Sequence, residues 1–202
     1  MRIKAYIFVV LALALSAAPI LVQAQDDSAL EYQIKAAFLY NFIKFVDWPK
    51  EKMPDSNEPI IIGIMGKDPF GDAFKPIKDK PVKGKRVIVK RFKGLEELKE
   101  SSEKHPQIET IRGCHLLFIC RSEKEMLEET INLVKDHSVL TVADSEGFLE
   151  SGGIINFIME EKKVRFEINV TAAKRAKLEI RSQLLRLAKR IVEEKPSDKA
   201  KS

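Results

Sequence analysis

The sequence has few of the residues and motifs that support enzyme chemistry. Its 202 residues include three histidines and two cysteines, and no HExxH or CxxC motif places them at metal-ligand spacing. It contains no GxSxG nucleophile elbow and no GxGxxG dinucleotide motif. A P-loop ending at Gly66-Lys67 would need glycine where Ile61 stands and Ser or Thr where Asp68 stands. We therefore expect a protein that is not an enzyme and holds no metal or cofactor.

Both cysteines lie in one apolar stretch, Cys114–Cys120, which is typical of a buried strand. Six residues of strand span roughly 20 Å, whereas a disulfide needs Cα atoms within about 7 Å. Cys114 and Cys120 therefore cannot bridge each other, and each is a buried thiol or pairs with another chain. His115 follows Cys114 but points to the opposite face of a strand, so these two residues alone form no catalytic pair.

A long apolar run occurs only at the N-terminus. Arg2 and Lys4 precede the uncharged run Ala5–Val22, and Val22-Gln23-Ala24 is a small-x-small cleavage site. This order predicts a cleavable secretory signal peptide, residues 1–24. The alternative is an uncleaved anchor, because 18 residues approach the span of a bilayer. Export to the periplasm argues against a nucleic-acid partner.

The remaining chain is expected to form one domain. Loss of Arg2 and Lys4 lowers the net charge from +5 to +3, and 178 residues suffice for one core. We predict an α/β domain over residues 25–192 and a charged, flexible tail over residues 193–202. A basic segment, Lys75–Lys93, is a solvated loop and strand edge or attracts an acidic partner or anionic membrane.

The stretch Tyr32–Pro49 predicts the central helix. Apolar residues recur every four positions from Leu30 to Phe42, and a second strip follows Leu39. Asp27 or Ser28 is expected to cap its start and Pro49 to end it. Few polar groups interrupt the apolar surface, so other parts of the chain or a partner should cover it. It is either a core helix without chemistry or one whose polar and aromatic residues line a pocket or interface: Tyr40, Asn41, Lys44 and Trp48.

Apolar strands alternate with helices along the chain, which predicts a mixed, mostly parallel sheet with helices on both faces. The predicted strands are Ile60–Met65, Arg86–Phe92, Cys114–Cys120, Val139–Ala143, Ile154–Met159 and Val164–Asn169, the last two forming an antiparallel hairpin. The predicted helices are Asp72–Ile77, Leu95–Lys104, Ser122–Lys135, Thr171–Leu178 and Ser182–Val192.

Polar residues follow three of these strands, and ligands of open α/β sheets bind at the carboxyl ends of strands. Ser122, with Glu125 three residues on, is expected to cap a helix whose free N–H groups could receive an anion. The alternative is that these residues serve only caps and turns. The further candidates for an interaction surface or ligand crevice are Lys67, Asp68, Phe70, Ser122, Asp144 and Arg165.

Several sequence blocks follow one another along the chain: Tyr32–Phe42 with Lys44-Phe45 and Trp48-Pro49, Gly66–Gly71, Cys114–Ile119, Leu140–Asp144, Gly152–Ile155, Val164–Asn169, Ala172-Ala173 and Leu184–Ala188. Together these blocks resemble the YfiR/HmsC-like family, which includes a periplasmic repressor of a membrane diguanylate cyclase. The resemblance covers nearly the whole chain after the leader.

The resemblance implies a periplasmic α/β protein that acts by binding. Its expected partner is the periplasmic domain of an inner-membrane diguanylate cyclase or sensor kinase, with control of cyclic-di-GMP and biofilm, and with a homodimer as a possible state. The chain lacks the cysteines that the repressor carries near its Gly-Gly segment, so no redox switch of that kind is expected. The alternative function is a periplasmic small-molecule sensor component that works with a histidine kinase or transport system.

Overall fold

The computed structural model describes four stretches of backbone: residues 18–53, 57–77, 80–101 and 104–193. Side chains are described from residue 27 on, apart from that of Lys104. Residues 1–17 of the predicted leader and 194–202 of the predicted tail lie outside this description. Across the described ranges, no helix is both long and apolar enough to cross a membrane.

The longest element is helix α1, Ala18–Phe45. Its residues Ala36, Leu39, Phe42 and Ile43 have no exposed surface. Burial of each large apolar side chain is worth about 1.5–3 kcal/mol, so this strip anchors the helix. Toward its N-terminus the cover ends, and Leu30 and Ile34 are 56% and 39% exposed.

The predicted ends of this helix were wrong. The backbone is helical from Ala18, so Asp27 and Ser28 lie inside the helix and cap nothing. The helix ends before Pro49 because the next two residues form strand β1, Val46–Asp47, which pairs antiparallel with β8, Glu179–Ile180. A tertiary pairing decides this boundary, and the local proline signal does not.

The main sheet contains seven strands in the order β3-β2-β4-β5-β6-β7-β9. They are β2 Ile60–Met65, β3 Val87–Phe92, β4 Leu116–Ile119, β5 Leu140–Ala143, β6 Ile155–Glu160, β7 Lys163–Asn169 and β9 Arg190–Val192. The strands from β3 to β6 run parallel, and β6 and β7 form an antiparallel hairpin with Phe157 opposite Phe166. The predicted mixed, mostly parallel sheet is confirmed.

Helices cover both faces of this sheet. On one face, a core joins α1 to α5, Val170–Arg175, and α6, Ser182–Leu185. On the other face, a second core contains buried residues of α2, Leu95–Glu100, α3, Lys104–Arg112, and α4, Leu127–Val134. The predicted three-layer arrangement is therefore confirmed.

Several predicted helix bounds were wrong. Helix Ser182–Val192 is only the short α6, after which β9 runs parallel to β7 with Ile191 beside Ile168. The open edge of β7 offers backbone hydrogen bonds that outweigh the local helical pattern. Helix Leu95–Lys104 ends at Glu100, and α3 was not predicted. The predicted helix Asp72–Ile77 is a single 3-10 turn, Lys75–Ile77.

The predicted helix start at Ser122 was also wrong. Residues Arg121–Met126 form a 3-10 helix ahead of α4, and the residue before this turn is Cys120. Ser122 therefore lies inside the turn. Its hydroxyl group accepts a hydrogen bond from the N–H of Lys67, which follows the end of β2.

Candidate functional site

The sheet has a topological switch point between β2 and β4. The chain leaves β2 toward β3 on one side and returns to β4 on the other side. Ligands of open α/β sheets bind outside such a point, at the carboxyl ends of the strands. Here that place contains the predicted candidates Lys67, Asp68 and Ser122.

The chain's own groups fill this crevice. The Lys67 N–H donates to Ser122 Oγ over 2.9 Å, and Ser122 Oγ donates to Glu123 Oε1 over 3.0 Å. Glu123, which is buried, accepts the Leu95 N–H at its other oxygen over 2.8 Å. A Cβ on Gly66, whose φ is +94°, would lie 2.4 Å from Ser122 Oγ. The interactions around Ser122 thus match turn chemistry.

Asp68 and Phe70 are also engaged within the fold. Asp68 accepts the Phe70 N–H over 2.7 Å and pairs with Arg91 Nε at 2.6 Å. The Phe70 ring is buried edge-on against Phe118, with centroids 4.8 Å apart. The Lys67 side chain is exposed. The structure therefore gives these candidates structural contacts and leaves only the Lys67 side chain directed to solvent.

The end of β5 has a different arrangement, centred on Asp144. Its Oδ2 accepts the Tyr32 hydroxyl over 3.0 Å and pairs with Lys35 Nζ. Arg121 Nε lies 3.3 Å from the same oxygen and donates to the Asp144 carbonyl over 3.1 Å. Lys35 also pairs with Glu31, one turn earlier on α1. This cluster fastens α1 to the carboxyl end of β5.

The ion pair at the centre of the cluster, Lys35 with Asp144, is nearly closed to solvent. The side chains of Lys35 and Asp144 are each 1% exposed. Burial, followed by the negative charge of Asp144, raises the pKa of Tyr32 well above its usual range, so the phenol remains a hydrogen-bond donor. The Lys35 ammonium also lies 4.4 Å from the centroid of the Tyr32 ring. A buried ion pair of this kind needs several partners to offset its desolvation.

Sequence reasoning found Asp144 but missed Lys35 and Tyr32. Lys35 stands four residues before Leu39, so it occupies the register of the buried apolar strip of α1. A cation at a core position demands a buried anion. The position of Lys35 in the apolar register could therefore have been read from the sequence, but it does not identify which carboxylate pairs with the lysine.

Asp144 and Ser145 keep unused hydrogen-bonding capacity. Asp144 Oδ1 and Ser145 Oγ are buried, and neither has a hydrogen-bond partner among the described residues. Both residues line an open cleft of about 540 Å³, whose wall also includes Arg121, Asn156 and Arg190. Buried polar atoms without partners cost about 1–3 kcal/mol. The wall of this cleft therefore keeps hydrogen-bonding capacity that the described residues do not use.

The candidates in and just after the last turns of α1 differ in their exposure. Tyr40 donates its hydroxyl to the Pro81 carbonyl over 3.0 Å, and Lys44 Nζ lies 4.6 Å from its ring centroid. Trp48 is 9% exposed and packs edge-on against His115. Asn41 is half-buried. Tyr40 and Trp48 are therefore mostly enclosed by the fold.

Arg165 lies apart from these groups, on the exposed side of the hairpin. Its Nε is 3.9 Å from Glu160 Oε2, and both residues belong to the two hairpin strands. The structure thus does not bring Arg165 into the cluster around Asp144. It remains a candidate for an interaction surface.

The cysteines and His115 have structural surroundings. Cys114 and Cys120 are free and buried, and burial raises the pKa of Cys114 to about 12. His115 Nδ1 accepts the Ile61 N–H over 3.1 Å, and its Nε2 lies 3.2 Å from the Lys52 carbonyl. The first contact assigns the proton to Nε2. Burial lowers the pKa of His115 to about 4.

Exposed apolar side chains mark possible binding surfaces. Ile34 lies one turn before Phe38, which packs against Phe157 of β6. Met159, 47% exposed, lies two residues after Phe157 and therefore on the same face of that strand. Ile34 and Met159 therefore lie one helical turn and one strand repeat from this aromatic contact, and both are exposed. Further exposed apolar residues are Leu30, Leu187 and Ile191.

Within the described part of the chain, no group of three His, Cys, Asp or Glu side chains is placed to hold a metal ion. Fold and site together define a mixed α/β domain, with a long N-terminal helix tied to the sheet by a buried ion pair. A family model of the description YfiR/HmsC-like matches residues 32–189. The chain belongs to this family, and the predicted resemblance is confirmed.

Members of this family are periplasmic regulators of diguanylate cyclases in general, acting with inner-membrane signalling proteins. A solved structure, a conserved domain protein from Vibrio cholerae, is similar with a TM-score of 0.47 and 12% identity. The similarity covers 71% of this chain and 57% of the other. A similarity at this level establishes neither the fold nor the function of this chain. No curated protein matches the sequence.

Proposed function

We propose that this protein is a periplasmic repressor that binds the periplasmic part of an inner-membrane diguanylate cyclase and lowers cyclic-di-GMP output and biofilm. The observation that carries the proposal is the family match over residues 32–189. The predicted leader over residues 1–24 is consistent with it. Repression then works by protein–protein contact, without a reaction at this chain.

The surface formed by Ile34 and Met159 is the proposed contact. Apolar side chains this exposed serve binding when they are grouped, since solitary ones are common on any protein. They also border the Asp144 cluster, which holds α1 in place beside them. A partner that covers this surface would therefore bind a rigid part of the domain.

Deletion and complementation test the proposal. Removal of the protein should raise cyclic-di-GMP and biofilm, and the wild-type chain should restore both. Ile34→Glu should fail to restore them and should lose a copurifying cyclase, because a charge in an apolar contact is costly. Leu187→Glu is the matched control at another exposed apolar site. Unchanged cyclic-di-GMP in the deletion strain would contradict the proposal.

A homodimer belongs to the same proposal, because repressors of the family that this chain resembles often dimerise. Light scattering on the purified protein measures its mass. A dimer that Ile34→Glu dissociates would assign the surface to self-association. A monomer at all concentrations leaves the surface for the membrane partner alone.

The cleft at Asp144 and Ser145 favours a second candidate function, the sensing of a small ligand. The observation is the pair of buried oxygens without partners beside the cleft. A ligand that binds there should raise the melting temperature. Ser145→Ala should remove the rise while leaving the ion pair of Asp144 intact. A wide metabolite screen without any shift would contradict this function.

A further inference from the structure

Strand β3 is the outermost strand at one end of the main sheet. Only β2 pairs with it among the described residues. At the two ends of this pair, the Ile60 N–H donates to the Arg86 carbonyl and the Gly66 N–H donates to the Phe92 carbonyl. Alternate residues of a strand turn their backbone groups to opposite sides. Val87, Val89 and Arg91 therefore direct their N–H and carbonyl groups away from β2.

An apolar groove lies beside this edge. Its volume is about 370 Å³, and its apolar wall includes Phe74, Ile77, Val87 and Val89. The last three are only partly buried against the core. Val87 and Val89 share one face of β3 because side chains repeat every second residue. An additional strand at this edge could place every second side chain into the groove.

The opposite face of the same edge is basic. Arg86, Ile88 and Lys90 alternate along β3 with Val87 and Val89. The side chains of Arg86 and Lys90 therefore lie on the face away from the groove. Neither has an ion pair within the described part of the chain. Residues 80–93 hold seven basic residues and no acidic one. This concentration of charge attracts acidic groups and repels basic ones.

We propose that the outer edge of β3 binds an extended segment of another protein in which apolar and acidic side chains alternate. The backbone of that segment pairs with Val87, Val89 and Arg91. Its apolar side chains fill the groove beside Phe74, and its carboxylates face Arg86 and Lys90. Addition of a strand to an open edge is an established mode of peptide recognition. Binding of such a segment at β3 does not depend on the partner being a diguanylate cyclase, because the edge selects the sequence pattern of the segment and any protein could carry it.

Charge complementarity excludes a second copy of this chain at the edge. Two β3 strands side by side would bring Arg86 and Lys90 of one copy near the same cations of the other. Like charges on neighbouring strands are destabilising. Basic residues on an exposed edge also oppose self-pairing in general. A neighbouring strand with acidic side chains is instead attracted by Arg86 and Lys90.

The test uses the purified protein and a labelled eight-residue peptide of alternating glutamate and valine, with blocked ends. Fluorescence anisotropy should show saturable binding that weakens about tenfold on a moderate rise in salt, since the charges are exposed. A peptide with methyl groups on alternate backbone nitrogens should bind at least about tenfold more weakly, because it loses the edge hydrogen bonds. A peptide with the four glutamates before the four valines should also bind more weakly.

Variants of the protein complete the test. Val89→Pro removes an outward N–H that β2 does not use, so peptide affinity should fall about tenfold or more while the fold is kept. Val89→Ala keeps this N–H and is the matched control. If Val89→Pro does not fold, the methylated peptide still decides the question. Lys90→Glu should weaken binding of the glutamate peptide without lowering the melting temperature.

Three outcomes would overturn the proposal. Equal binding of the methylated peptide would show that charge alone attracts it. Binding to vesicles of anionic lipid without binding to the peptide would assign the basic surface to a membrane. A dimer that Val89→Pro dissociates would assign the edge to a second copy of the chain.

Discussion

Two strand ends at the same edge of this sheet, those of β2 and β5, use similar residues in different ways. At the end of β2, Ser122 and Glu123 satisfy one another and the backbone of Lys67 and Leu95. At the end of β5, Asp144 Oδ2 accepts the Tyr32 hydroxyl and pairs with the cations Lys35 and Arg121, while Oδ1 has no partner among the described residues. Position at the carboxyl end of a strand therefore does not make a ligand site. Unused hydrogen-bonding capacity separates the two ends.

The largest expected effect comes from breaking the charged cluster at β5. Lys35→Met should lower the free energy of unfolding by about 3–5 kcal/mol, because it leaves Asp144 buried without its main cation. Denaturant titration measures the change. The double variant Lys35→Met with Asp144→Leu should recover much of the loss, since both charges are then gone. A double variant as unstable as the single one would show that packing, and not charge, causes the loss.

A smaller effect is expected at the closed end of β2. Gly66→Ala should cost about 1–3 kcal/mol, because φ is +94° and the new Cβ would meet Ser122 Oγ. Gly84→Ala is the matched control, with φ of +75° and nothing within 4 Å of the added Cβ. The difference in unfolding free energy between the variants isolates the close approach. Equal losses of unfolding free energy would mean that the Ser122 side chain moves away from the added Cβ at little cost.

The two serines sharpen the comparison further. Ser122→Ala should cost about 0.5–1.5 kcal/mol, because the Lys67 N–H loses its acceptor. Ser145→Ala should be nearly neutral or slightly stabilising, because its buried hydroxyl makes no hydrogen bond among the described residues. Thermal unfolding of both variants tests this order. A clear loss for Ser145→Ala would reveal a partner and remove the contrast.

The smallest effect near neutral pH is expected at the opposite edge of the sheet, through the titration of His115. His115 precedes β4, and its pKa falls from 6.5 in the unfolded chain to about 4 in the folded one. The unfolded state therefore binds the proton first, and stability should decline as pH falls from about 6.5 toward 4. At pH 6 the loss should stay under about 1 kcal/mol. His115→Gln should flatten this part of the stability–pH curve, and an unchanged curve would exclude His115 as its cause.

The sheet could be predicted from sequence because its strands are short apolar runs between turn residues. The hairpin also followed from the alternation of Val164, Phe166 and Ile168 with polar neighbours. Residues 190–192 could not be predicted as a strand, since their local pattern is helical and their pairing with β7 is distant in sequence. The start of α1 was missed for a related reason: Asp27 and Ser28 fit a cap locally, yet the helix continues through them.

The candidate site was predictable in part. Asp144 follows an apolar strand, so its position at the carboxyl edge could be foreseen. The role of Ser122 could not, because the serine's partner is a backbone N–H on another strand. Lys35 lies within the apolar pattern of a helix, and its partner Asp144 lies 109 residues later in the chain. Pairings over such distances are set by topology, which a periodic pattern does not contain.

The separation of Lys35 and Asp144 also orders the events of folding. Helix α1 precedes in sequence the strand end that neutralises its buried cation, since Asp144 lies 109 residues after Lys35. Closing a loop of this length carries a large entropy cost, which the contact itself only later offsets. The N-terminal helix must therefore wait, with its apolar strip uncovered, until β5 has joined its neighbours.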